Sequence, residues 1–563
     1  MRRVCVPVVL WTVLALSGPP ADGARRPEQA WVADQGDGTY RNPVLHADYS
    51  DPDVIRVGRD YYLVASSFNA VPGLPILHST DLVNWRLIGH ALPRLAPEAL
   101  FSTPQHGKGP WAPALRHHDG KYWIYYGEPD LGIFVVTAAE PAGPWSDPVL
   151  VKGVRGAIDP CPVWDLDGRA YLVHAWARSR AGFANVLTLN RLTRDGLRAA
   201  DDGRVIINGD AIPGYRTLEG PKLYKRGNTY WIFAPAGGVK NGWQSAFRSQ
   251  SIDGPYEDRI VMDQGTTDIN GPHQGAWVDT PAGEHWFLHF QDLDAYGRVV
   301  HLQPMTWGAD GWPVVGTDPD GDGRGEPVRS YRKPAGGGSR PVVVPPTTDE
   351  FSGMRLGLQW QWQANPRDVW LSLGAKPGTL RLYSQPLAAV DNLFLAPNLL
   401  LQKWPAAAFS VTAALTFSPA SAGEGESAGL VVFGQDYAWV GLRTTAQGTR
   451  LLMRVLTNAK EGQAEQESAS VEAPGPAVHL RVAVTAGGTC RFSYSANTQQ
   501  FTPIGGEFVA KPGVWVGAKV GVFAAAAPGT ARAGHADWDW FRVEALAGDL
   551  ARSLLPFPSP RQP

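Results

Sequence analysis

One phrase recurs along the first half of the chain: aromatic residues followed by apolar ones, bounded by polar positions. It reads DYYLVASS from Asp60, KYWIYYGE from Lys121, RAYLVHAW from Arg169, TYWIFAPA from Thr229 and EHWFLHFQ from Glu284, at intervals of 61, 48, 60 and 55 residues. That interval is the length of one four-stranded propeller blade with its loops. A second phrase follows some copies, as STDLVNW from Ser79, AAEPAGPW from Ala138 and SIDGPYED from Ser251. A small residue, an acid, a turn and an aromatic suit a hairpin between outer strands. The fifth copy closes with TWGADGWPVV from Thr306. The pattern predicts an all-β chain opening with a five-bladed β-propeller over about residues 35–332.

The segments preceding the aromatic phrase are DPDVI from Asp51, WAPAL from Trp111, DPCPV from Asp159, EGPKL from Glu219 and HQGAW from His273. In TLEGPKLYKRGNTYW, from Thr217, a Lys-Arg-Gly-Asn turn joins such a segment to its aromatic partner as a hairpin. Each segment is therefore read as the first strand of a blade, lining the channel. Equivalent starting positions converge at one end of that channel, so Asp51, Trp111, Asp159, Glu219 and His273 are expected to ring one pocket. Three carboxylates crowded at one mouth repel and raise at least one pKa. Paired carboxyls with separated pKa values are the machinery of glycoside hydrolysis.

KPAGGGSRPVVVPPTT, residues 333–348, reads as a Gly/Pro-rich linker. Beyond it, residues 349–547 show short alternating strands such as AFSVTAALTF, AGLVVFGQDYAWVGL and VHLRVAVTAGGTCRFSYSA, which predict a two-sheet β-sandwich. The stretch 548–563, rich in proline at its end, is expected to be a disordered tail.

Composition narrows the class of partner. A net charge of −2 with a pI near 6.7 gives no electrostatic case for nucleic acid or an anionic membrane. The chain carries 22 Trp, 17 Tyr and 19 Phe, whose faces suit both β cores and sugar rings. Residues 1–23 begin MRRVCVPVVLWTVLALSG and read as a secretory signal cut near Gly23, which places the mature protein outside the cytoplasm, secreted or periplasmic. Cys5 leaves with that segment; Cys161 and Cys490 are far apart, and no disulfide is expected. DPDGDGRGEP from Asp318 has the alternating acids of a calcium loop, but its twelfth position is Arg329 where an EF-hand needs Glu, so it reads as a polar connector.

NPVLHADYSDPDVIRVGRDYYLVASSF, VPGLPILHSTDLVNW, GPWAPAL, AIDPCPV, TLEGPKLY and GPHQGAWVD together resemble glycoside hydrolase family 43 in order and spacing. The likeness extends over about 300 residues. It implies inverting β-xylosidase or α-L-arabinofuranosidase activity, with Asp51 as general base, Glu219 as general acid and Asp159 orienting the acid and tuning its pKa. Asp53 lies on the same strand face as Asp51 and is the rival base. Phe68, Trp111 and Trp243 are candidate sugar-facing walls, and Arg298 matches a position that reaches sugar hydroxyls. His273 matches a histidine that in the family often ligates a channel metal, commonly calcium with waters, the alternative being a hydrogen-bonded channel histidine that supports the acids; the chemistry itself requires no cofactor. The second half resembles the concanavalin-like domain appended to many such enzymes, one loop of which can close the propeller pocket. Asp349 and Asp539 are candidates to share a structural calcium. The substrate implied is a terminal arabinosyl or xylosyl unit on hemicellulose or pectin side chains. Two alternatives are a carbohydrate-binding protein on this fold without chemistry and a retaining, fructan-acting enzyme, whose marker motifs are absent.

Overall fold

The computed structural model describes residues 29–336, 341–388, 391–420, 424–530 and 533–546. The expected signal and tail, and residues 337–340 of the expected linker, lie outside them.

Five four-stranded antiparallel sheets follow one another along the chain. Their first strands are Asp53–Val57, Trp111–His118, Ala157–Trp164, Lys222–Arg226 and His273–Asp279. The recurrent aromatic phrase forms the second strands, Asp60–Val64, Lys121–Glu128, Ala170–Trp176, Thr229–Ala236 and His285–Asp292. The first strands of blades one to four touch in succession, and that of blade five packs on blades one and four. Blades stack face to face, so both faces of a strand are buried: Lys121–Glu128 is exposed only at its first residue. This is why the phrase reads as a continuous apolar run rather than an alternation.

The ring closes through its N-terminal segment. Thr39–Arg41 pairs with Ser330–Arg332, and Leu45 bridges Val300 on the third strand of blade five. Asn42 fastens this clasp: its Nδ2 donates to Leu302 O and Val328 O at 2.8 Å, and its Oδ1 accepts Leu302 N–H at 2.8 Å.

The second domain is a sandwich of two eight-stranded sheets. Phe409–Ser418 pairs with both Ala477–Thr485 and His535–Ala545 in one sheet; Ser427–Phe433 pairs with Tyr437–Thr445 and Lys519–Ala526 in the other. Here the strands alternate, as in Ala477–Thr485, where every second residue is buried. Among the described residues the only α-helix is Arg178–Ala181. The architecture is thus all-β, a five-bladed propeller followed by a two-sheet sandwich, as the repeat pattern and strand spacing predict, and the sandwich is concanavalin-like, as the resemblance implies.

The two domains share a hydrophobic core. Val71, Leu92, Leu95 and Phe101 of the propeller pack with Trp360, Trp362 and Trp370. Val71 and Trp362 exchange backbone hydrogen bonds at 3.0 and 2.6 Å, a single antiparallel bridge across the junction.

Cys161 and Cys490 are buried and free. Asp318 spends its carboxylate on the N–H groups of Gly321 and Gly323, so DPDGDG is a self-bonded turn that brings Asp320 and Asp322 beside it at the surface. Asp349 caps a turn, accepting from Phe351 N–H and Trp360 Nε1 at 2.9 Å. Asp539 instead faces Thr379 Oγ1, so the two acids have separate partners.

Candidate active site

The channel mouth is built from a backbone device that repeats once per blade. Asp51, Ala112, Asp159, Gly220 and Gln274 all have positive φ, at 55, 33, 54, 58 and 35°. Four of the five precede a proline. A proline disfavours the right-handed helical region in the residue before it. Three of these first strands also shift register here, between Trp111/Ala114, Ile158/Cys161 and His273/Gly275. The sequence alignment of strand starts is therefore corrected by one residue in blades two, four and five. Asp51 and Asp159 are equivalent to Ala112, Gly220 and Gln274, not to Trp111, Glu219 and His273. The two sets form two adjoining tiers of one pocket.

In the tier of positive-φ residues, Asp159 Oδ2 accepts Gly220 N–H at 2.8 Å and Gln274 Nε2 at 3.1 Å. Gly220 suits this place because a Cβ there would lie 2.5 Å from Gln274 Cγ, in a conformation L-residues rarely adopt. Asp51 is held from three sides. Arg298 Nη1 donates to Oδ1 at 2.9 Å, and Ser50 Oγ and Ser66 Oγ donate to Oδ2 at 3.0 and 2.5 Å. Ser66 in turn accepts Ala112 N–H at 2.7 Å, linking blades one and two. In the other tier, His273 Nε2 and Glu219 Oε1 share a hydrogen bond of 2.9 Å. Glu219 keeps 23 % of its side chain exposed, whereas Asp159 is 2 % exposed.

Burial, then the charges of Glu219 and Asp51, push the Asp159 carboxyl well above the usual carboxylate range; the Gly220 N–H and the Lys222 ammonium oppose them. Lys222 is itself buried, its Nζ donating to Pro113 O at 3.0 Å. The Lys222 ammonium near Asp159 thus offsets only part of that rise.

Asp53 is not part of this cluster. Its Oδ2 accepts Leu115 N–H and Arg116 Nη1, both at 2.7 Å, and the side chain is fully buried. Arg116 also donates to Cys161 Sγ at 2.8 Å. The carboxylate two residues beyond Asp51 is thus an inter-blade tie.

Aromatic residues wall the opening. Trp111 stands 6.0 Å from Phe68 and 6.2 Å from Trp515, centroid to centroid. Trp515 comes from a loop of the sandwich domain and also lies 5.6 Å from the Arg298 guanidinium. It is half exposed. Trp243 packs at a right angle on Tyr215 with the Arg216 guanidinium over its ring, which makes it part of the wall between blades three and four. Sequence reasoning missed Ser50, Ser66, Lys222, Gln274 and Trp515. Trp515 carries no signal of its own, because VWVGAK reads as an ordinary strand.

At His273 the protein offers few atoms toward a metal. The imidazole Nδ1 is buried without a protein partner, and among the described residues no third ligating group joins His273 and Glu219. Calcium takes six to eight oxygen ligands, so the protein would supply one imidazole and one carboxylate there and water the remainder.

Three convergent acids, two of them deeply buried, stand at the aromatic-walled mouth of a propeller, an arrangement that suits glycoside cleavage. The chain matches the sequence pattern of glycosyl hydrolases family 43 over residues 40–313 and that of the β-xylosidase C-terminal concanavalin A-like domain over residues 348–544. It is 38 % identical over 494 residues to a protein of Xylanibacter ruminicola provisionally named a β-xylosidase, across 87 % of this chain and 86 % of that one. It is 31 % identical over 536 residues to a non-reducing end α-L-arabinofuranosidase of Bacteroides ovatus, across 90 % and 95 %. The solved structure of xylan β-1,4-xylosidase from Bacillus halodurans superposes with a TM-score of 0.78 at 26 % identity, covering 90 % of this chain and 99 % of that one. The chain belongs to glycoside hydrolase family 43, and it is an enzyme of the xylosidase and arabinofuranosidase group.

Proposed function

We propose that this enzyme removes terminal β-D-xylosyl or α-L-arabinofuranosyl units from hemicellulose or pectin side chains with inversion at the anomeric carbon. Glu219 is the general acid. It gives its proton to the glycosidic oxygen as the bond to the anomeric carbon breaks. Asp51 is the general base. It takes a proton from a water that attacks the opposite face of the sugar, so that the products are the free sugar of inverted anomer and the leaving alcohol. The roles follow from surroundings. Asp51 accepts three side-chain hydrogen bonds that fix its orientation and leave it an acceptor. Glu219 is the more exposed acid, reachable by a leaving group. Inversion asks for carboxyls about 6.5–9.5 Å apart, so that the water fits between them.

Asp159 is the modulator. It is tied to the residue after Glu219 and buried between the charges of Glu219 and Asp51. Such a pair holds one proton more firmly than two separate carboxyls would. This is the observation that carries the reading: three acids share a site where they cannot all ionise freely. Arg298 orients Asp51 and offers its guanidinium to sugar hydroxyls. Phe68, Trp111 and Trp515 flank the sugar, and the Trp515 loop makes the site a pocket for a chain end rather than a cleft.

The wording of the motifs leans toward arabinofuranosides, while the relatives carry both names, so both sugars belong to the proposal. A secreted or periplasmic location rests on the apolar run after Arg2 and Arg3. No step passes through a metal. The test is a proton NMR time course on aryl β-D-xylopyranoside and aryl α-L-arabinofuranoside, given separately. Turnover releasing the opposite anomer first is expected; a retained anomer excludes the assigned roles.

A further inference from the structure

The loop carrying Trp515 is fixed at both ends. On its own domain, Gln435 N–H donates to Pro512 O at 3.0 Å. On the propeller, Gly517 N–H donates to Asp48 Oδ2 at 2.9 Å, and Ala518 N–H to Ala295 O at 2.7 Å. Asp48 has a second partner: its Oδ1 accepts the backbone N–H of Arg298 at 3.0 Å. The contact is tight. A Cβ on Gly517 would lie 2.7 Å from Gly297 N, and one on Gly297 would lie 2.6 Å from Asp48 Cγ. Asp48 is 3 % exposed, and the buried Lys519 and half-buried Lys403 of the sandwich lie close enough to feel its charge.

One carboxylate therefore joins three things: the segment leading to Asp51, the strand that starts at Arg298, and the loop that places Trp515. We propose that Asp48 is a positioning residue that pins the Trp515 loop of the second domain to the Arg298 strand, so that the pocket wall and the partner of the base keep one geometry. This rests on the reading of the pocket as a sugar site with Asp51 as its base. Two acceptor oxygens are required. An asparagine offers one, and its amide N–H₂ would face the other backbone N–H donor to donor.

The test uses the full chain labelled with 5-fluorotryptophan, the ¹⁹F resonance of Trp515 being assigned by its loss in Trp515→Phe. In Asp48→Asn that resonance is expected to shift or broaden without substrate present. On aryl glycosides, KM is expected to rise about tenfold while kcat changes less than about threefold. In a Trp515→Ala background, Asp48→Asn is expected to add less than about twofold. An unmoved resonance, an equal KM effect in both backgrounds, or a fall confined to kcat overturns the proposal. Should Asp48→Asn not fold, Gly517→Ala pries the same contact from the loop side and is expected to give the same resonance change and KM–kcat split. If the wild-type enzyme turns over neither glycoside, the functional reading fails, and the substrate-free resonance still decides the latch.

Discussion

Asp159 Oδ2 accepts the backbone N–H of Gly220 at 2.8 Å, so the buried acid is anchored to the residue that follows Glu219. Burial and the neighbouring charges raise its carboxyl well above the ordinary value of 3.8. The folded chain thus holds this proton more tightly than the unfolded chain does. The destabilising effect is absent below the unfolded value and grows as pH rises through the folded one. Asp159→Asn removes it. The melting temperature of the variant relative to wild type is expected to be more favourable at pH 8 than at pH 4, while kcat falls about 10²–10³-fold. Parallel melting curves across that range would remove the strain assigned to Asp159.

Glu219→Ala is expected to lose about 10²–10⁴-fold in kcat on oligosaccharides, whose leaving groups need a proton. The loss shrinks on a 2,4-dinitrophenyl glycoside, which leaves unaided. Asp51→Asn loses activity on both, because water activation is common to them. Rates on the two leaving-group classes separate the acid from the base.

Asp53→Asn tests the rival base. Removing a charge from its buried pair with Arg116 is expected to lower stability by about 3 kcal/mol, with kcat and its pH profile retained in the folded fraction. Denaturant unfolding and steady-state rates on one preparation check both. A pH–rate profile that loses its basic partner here would move the base to Asp53.

Trp515→Ala is expected to raise KM about tenfold, the scale of one lost aromatic wall. Opening that side also admits longer chains. Product analysis on xylo- or arabino-oligosaccharides is expected to show internal cleavage beside release of single sugars.

Because the roles assigned to Asp51 and Glu219 move protons without a metal, dialysis against EDTA is expected to leave kcat/KM unchanged, measured before and after calcium is restored; a loss restored by calcium would give His273 a metal to hold.

The blades were legible because each must bury both faces of its second strand, which forces the aromatic phrase into every repeat. The channel-facing acids were legible because a propeller repeats its strand starts. The one-residue offset was not read, although its mark is present: Asp51, Ala112, Asp159 and Gly220 each precede a proline and adopt positive φ. Aligning on those prolines instead of on the acids puts Trp111 and Glu219 in their own tier; blade five, which has Gly275 in place of the proline, carries no such mark. Asp53 and Asp51 look alike in sequence, and only the Arg116 side chain arriving from blade two distinguishes them. Trp515 and Asp48 were beyond reach for a different reason. Their meaning depends on how the second domain docks, and Asp48 meets Gly517 across 469 residues of chain.

The N-terminal clasp has a consequence for the order in which the molecule comes into being. Asn42 fastens to Leu302, 260 residues later in the chain, and Asp51 follows just after that clasp. A polypeptide emerging from a ribosome or a translocation channel presents Asp51 early, with nothing to hold it. Its partner Arg298 arrives with the last blade, and Trp515 later still. A chain still lacking its last blade therefore has no partner for Asp51 and no second-domain wall beside it: the site is completed only when the two ends of the propeller meet and the sandwich docks.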